Sequence, residues 1–116
     1  MSNIILDKTF LFAVRIVKLV KVLQQERKEY ILSKQLLRSG TSVGALVREA
    51  EHAQSKKDFI HKTAIGLKEI NETKYWLNLL YETSIIYERE YNSIHTDCEE
   101  ILKIMVKIIK TSKANL

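Results

Sequence analysis

The residues whose types could support catalysis or hold a metal are few, and their spacing argues against both. Gly40-Thr41-Ser42-Val43-Gly44 spells the G-x-S-x-G pattern of a nucleophile elbow. That elbow works because a strained strand-to-helix turn lifts the serine to the edge of a parallel sheet. Here the flanks carry helical periodicity, no strand pattern lies nearby, and the small residues fit a packing groove better. His95 and Cys98 stand three apart, which would put two zinc ligands on one helix face, and His52 and His61 bracket a helix boundary. A closed zinc site takes four ligands, and no CxxC or HxxxH supplies the rest. Cys98 reads as a small core filler. Asn71-Glu72-Thr73 matches the glycosylation sequon, which matters only in a secreted chain. Asn71 and Asn78 are expected instead to donate buried hydrogen bonds across a bundle. No pair of catalytic groups is placed by the helix pattern, so the expectation is a protein that is not an enzyme, with no metal and no cofactor.

What remains is charge. Nineteen Lys and Arg against fourteen Asp and Glu leave +5 over 116 residues, which favours polyanionic partners. The candidates for contact with RNA or DNA are Arg15, Lys18 and Lys21, then Lys34, Arg38 and Arg48, and last Lys103, Lys107 and Lys110. Nothing in the chain has the form of a recognition helix, a zinc finger or an aromatic RNA platform. Binding through these residues would therefore be to phosphates, sensitive to salt and indifferent to sequence.

The elements that carry these residues follow from periodicity. The chain has no proline and three glycines, too few turn residues for a β architecture. From about residue 7 to 24 the pattern is apolar on most of the helix circumference, and its cations, Lys8, Arg15, Lys18 and Lys21, fall on one arc. A charged loop, QERKEY, occupies 25–30, and a second helix runs from about 31 to 54 with apolar Leu36, Val43, Leu46, Val47, Ala50 and Ala53 on one side. Ser55 and Asp58 form a capping box for a third helix, about 57–83, in which Ile65, Trp76, Leu79 and Leu80 make a second apolar side: a wider core face or a subunit contact. A last helix, about 93–112, repeats Ile94, Cys98, Ile101, Met105 and Ile108 at three and four residues; its early acids and late lysines complement the helix dipole. This predicts an all-α, single-domain, up-down-up-down four-helix bundle over 1–116.

Two features predict that copies of the chain associate. A first helix apolar nearly all round needs a second cover. Ser33, Gly40 and Gly44 line one arc of the second helix, and glycines inside a helix cost roughly 1 kcal/mol each against alanine, which close backbone packing would offset. The expected subunit contacts are Phe10, Val14, Val17, Gly40, Gly44 and Trp76. One cysteine suits a reducing cytoplasm, and no apolar run is long enough for a membrane span, nor does a basic segment precede the first one as in a signal peptide.

The segments LSKQLLRSGTSVGALVREAEHAQSKKDFIHK (32–62), GLKEINETKYWLNLLYET (66–83) and DCEEILKIMVKIIKTSK (97–113) resemble the bacterial four-helix-bundle proteins first described as products of intervening sequences in large-subunit ribosomal RNA genes. Arg38, Ser39, Gly40, Ser42, Gly44, Arg48 and Glu49 match the family pattern; Leu46 departs from it, standing where Asn is common. The resemblance implies a homopentamer, open at its ends like a barrel, without enzymatic activity. It also covers relatives that act as accessory factors of diversity-generating retroelements and bind nucleic acid and a reverse transcriptase. Five copies would carry 5 × 5 = +25. The expected partners are thus the chain itself, RNA or DNA, and, as the alternative role, a nucleic-acid enzyme such as a reverse transcriptase docked on a scaffold.

Overall fold

Each long apolar periodicity becomes a helix. In a computed structural model that describes residues 3–116, α1 spans Asn3–Gln25, α2 Ile31–Glu51, α3 Lys56–Glu82 and α4 Glu88–Ala114, with no strand among the described residues. Met1 and Ser2, part of the expected domain, lie outside the described residues. Each helix packs against the next, and α4 returns to α1 more loosely, which closes an antiparallel four-helix bundle of 47 × 20 × 20 Å. Its core runs through Ile5, Phe12, Ile16, Val20 and Leu23 of α1, Leu36, Val43 and Val47 of α2, Ile70, Leu77 and Leu80 of α3, and Ile94, Cys98, Ile101 and Met105 of α4.

Local chemistry sets the helix ends. The Ser55 hydroxyl accepts the Asp58 amide at 3.0 Å, as the capping box predicts, while the Asp58 carboxylate returns to the Gln54 amide at 3.2 Å, one residue before the serine. The charged loop turns out to be a cap. Glu29 accepts the amides of Ile31, Leu32 and Ser33 at 3.2, 3.0 and 2.7 Å, which satisfies donors that a helix start leaves open. Glu90 likewise reaches back to the Tyr87 amide at 2.8 Å, and α4 begins at Glu88 rather than near Ser93. The apolar period lapses over 88–92 because that first turn is largely exposed, and buried Ile86 pins the chain just before it.

The glycine groove is real, but its occupant belongs to the same chain. A Cβ on Gly40 would sit 2.8 Å from Cγ1 of Ile16, and one on Gly44 would sit 3.2 Å from the Thr9 carbonyl oxygen, so α1 fills the groove. This corrects the assignment of Gly40 to a subunit contact: it is buried under Ile16. Gly44 spends its missing side chain on the α1 backbone in the same way. Leu46, the departure from the family pattern, faces α3, where its Cβ lies 3.7 Å from the place a Cβ on Gly66 would occupy.

Two further expectations are corrected. Asn71 is exposed and donates to the Leu67 carbonyl of its own helix at 3.2 Å, and Asn78 does cross to α4, but as acceptor of the Tyr91 hydroxyl at 2.6 Å. A buried cross-helix bond joins Thr73, as donor, to the Ser39 hydroxyl at 3.0 Å. The second side of α3 divides: Leu80 lies in the core, and Trp76 packs half-buried at its margin.

Candidate functional site

The nine basic residues singled out above separate into two kinds. Arg15 reaches from α1 to α4, where Nη1 meets Asp97 at 2.5 Å and Nη2 donates to the Ser93 hydroxyl at 2.8 Å. Arg38 reaches from α2 to α3 and pairs with Glu69 at 3.2 Å and with Glu72. Glu72 also accepts the Trp76 indole N–H at 3.0 Å, and these two donors, the indole first, hold its carboxyl below the usual range. Both arginines therefore tie helices together. The other seven, Lys18, Lys21, Lys34, Arg48, Lys103, Lys107 and Lys110, are exposed and form no salt bridge among the described residues, although the Glu99 carboxyl, held down first by its bond to Lys74, also has Lys103 close enough to help.

These seven do not form one patch. Lys103, Lys107 and Lys110 follow the solvent side of α4, opposite the seam of Cys98, Ile101 and Met105. Arg48 borders a shallow cleft between α1 and α2 with Phe10, Ala13 and Gly44. Lys18 lies at the opposite edge of α1, beside Leu19, Val22 and Ile94. The charge along the rod is also uneven. The half built from residues 3–13, 42–68 and 100–116 holds ten Lys and Arg against five Asp and Glu, whereas the half built from 14–41 and 69–99 holds nine against nine. All of the net +5 therefore sits at the end where α4 finishes and α3 begins.

The expected subunit contacts also separate. Phe10 is 58% exposed, Val17 is exposed and Val14 half-exposed, and with Leu11 they leave α1 an apolar outer face. Trp76 is half-buried, donates to Glu72 of the preceding turn at 3.0 Å and stands edge-on to exposed Tyr75 at 5.0 Å.

The model of the 23S rRNA-intervening sequence protein family matches residues 1–107. The chain belongs to that family. It is also similar to a crystal structure of a protein of unknown function from the S23 ribosomal protein family of Bacteroides thetaiotaomicron, with 57% identity and a TM-score of 0.90 over 91% of this chain and 98% of that one. No curated protein matches. In this intervening-sequence protein the matched RSGTS run is structural: Arg38 is a salt bridge to α3, Ser39 a buried hydrogen-bond acceptor, and Gly40 the floor of the α1 groove.

The sharper chemical motifs find no support from their surroundings. Ser42 lies within α2 and donates to the Arg38 carbonyl at 2.6 Å, so no strained elbow exposes it. Burial pushes the Cys98 thiol up to about 12, and its Sγ lies 3.7 Å from the Ile70 carbonyl. His95 packs on the Tyr91 ring at 4.9 Å and faces Glu99, not Cys98. No group of three His, Cys, Asp or Glu side chains is placed to hold a metal among the described residues, and no helix there is long and apolar enough to cross a membrane.

Sequence reasoning missed Arg27. It forms a two-pronged pair with Glu90 at 2.9 and 2.7 Å, donates to the Ile85 carbonyl at 2.9 Å, and lies 4.4 Å over the Tyr87 ring. That hydrogen-bonded guanidinium holds the Glu90 carboxyl below the usual range. No local signal marks the pair, since its members lie 63 residues apart.

Proposed function

We propose that this intervening-sequence protein is a non-enzymatic, homo-oligomeric bundle of the cytoplasm that binds RNA or DNA through the phosphate backbone. The observation that carries the reading is the set of seven exposed cations, named above, that form no salt bridge within the described chain. Cations whose N–H donors are taken up by a carboxylate have fewer to offer a phosphate; these have theirs free of any salt bridge. Association is supported by the apolar outer face of α1, where Phe10, Leu11 and Val17 remain exposed on a single chain. Five copies follow the family resemblance, and symmetry would repeat each cationic stripe around a ring.

The test pairs light scattering with fluorescence anisotropy on a mixed-sequence oligonucleotide. A mass several times 13.5 kDa and an affinity that falls steeply with salt are expected. A monomer would reject the assembly, and no binding at low salt would reject the nucleic-acid role. In that second case, a pull-down of a reverse transcriptase that survives nuclease treatment would leave the protein as a docking scaffold for such an enzyme.

A further inference from the structure

We infer that the nucleic-acid phosphodiester backbone is gripped by one end of the rod, the end where α4 finishes, by Lys103, Lys107, Lys110 and Lys113 together with Lys56 and Lys57. The inference rests on the nucleic-acid reading above and adds where the ligand lies. Three observations carry it. The first is the uneven charge: ten cations against five acids at this end, nine against nine at the other.

The second is that lysines of two different helices meet at this end. Lysines in the last turns of α4 complement that helix's dipole, whereas Lys56 and Lys57 occupy the first two positions of α3, where the dipole disfavours positive charge. The two groups are neighbours, because the Lys56 ammonium donates to the Asn115 carbonyl at 3.0 Å, just past the end of α4. Lys56 thereby sits at the negative end of α4, and exposed Lys57 and Lys113 add positive charge at the same end of the rod.

The third is spacing. Residues 101–116 contain four lysines and no acid. From Lys103 to Lys113 the helix rises roughly 15 Å, about the length over which one nucleic-acid strand, at roughly 3.4 Å per phosphate, presents four or five charges. Lys103, Lys107 and Lys110 all lie exposed on one side of that span. The ligand class is a nucleic-acid backbone; no base-specific contact is part of the proposal.

Two charge reversals of equal size make the test. Lys107→Glu with Lys110→Glu alters the basic end; Lys28→Glu with Arg89→Glu alters exposed, unpaired cations of the neutral half. Each lowers the net charge by four, so a diffuse field would weaken binding equally in both. Anisotropy with a fluorescein-labelled, mixed-sequence 30-nucleotide RNA at low salt is expected to show more than a tenfold loss for the first variant and less than twofold for the second. The slope of log affinity against log salt should also shrink by about 1.4 for the first, at roughly 0.7 per single-strand contact. Circular dichroism confirms folding, and Lys107→Gln with Lys110→Gln replaces the reversal should it not fold. Equal losses, or a larger loss for the second variant, overturn the end-on site while leaving nucleic-acid binding in place. No binding by the unaltered protein overturns both, and capture of phosphatidylserine vesicles in the absence of RNA binding overturns the choice of ligand.

Discussion

The two flanks of α1 are held by different physics. Toward α2, the helix lies in a groove shaped by Gly40 and Gly44, with Ile16 and the Thr9 backbone seated where side chains are missing. Toward α4, the packing is looser, and three ion pairs bridge the gap: Lys8 with Glu100 and Arg15 with Asp97 from the helix itself, and Arg27 with Glu90 from the turn that follows it. The first seam depends on shape and is insensitive to salt and acid. The second depends on charge and responds to both. One helix can thus be fixed rigidly on one side and adjustably on the other.

The largest effect should come from the shaped seam. Gly40→Val places new carbons inside contact distance of Ile16, a β-branched side chain with little freedom to turn away, and should cost about 3 kcal/mol in urea unfolding. The loss should be unchanged in 1 M NaCl; a loss that salt removes would break the distinction between the seams.

Next comes the best-formed pair of the charged seam. Arg27→Ala removes the two-pronged bond to Glu90 and the bond to the Ile85 carbonyl, for about 2 kcal/mol at pH 7. The sign of its pH dependence follows from Glu90, whose carboxyl is held below its ordinary value in the folded protein. Its contribution is complete above the unfolded carboxylate range, near pH ~4.3, and is lost as pH falls through the lower folded value. The difference between wild type and variant, read by unfolding at pH 7 and pH 3, should therefore narrow in acid.

Smaller again are Lys8→Ala and Arg15→Ala, whose partners are well exposed: roughly 0.5 kcal/mol each, vanishing in 1 M salt where the screening length is about 3 Å. The smallest signal belongs to Cys98. With its thiol pushed up to about 12, alkylation at pH 8 proceeds only through opening of the bundle. Salt should raise that rate by roughly fivefold for each kcal/mol the charged seam loses, and Gly40→Val should raise it further. Equal rates in the two would put the opening elsewhere than at α1.

The difference between the seams also explains what could be read from the chain beforehand. Three- and four-residue spacing marks buried faces such as Ile94, Cys98, Ile101 and Met105, so helix number and core were legible, and Ser55 with Asp58 marked a boundary because both lie within one turn. The glycine arc was legible as a groove but not as to its occupant, since Gly40 looks the same beneath Ile16 as beneath another subunit. Charge was the least legible. Arg15, Arg38 and Arg27 differ from Lys18 or Lys110 only through partners 31 to 82 residues away, and no local pattern encodes those. The start of α4 was missed for a related reason: Glu88 and Glu90 serve the helix end rather than the apolar period.

A rod 47 Å long that carries its net charge in one half and is neutral in the other is an electrical lever. A polyanion exerts torque on it as well as attraction, and the torque acts from about a screening length away, some 8 Å in physiological salt. The charged half of a chain meeting such a surface would therefore turn toward it before any atoms touch, and the molecule would arrive already pointed.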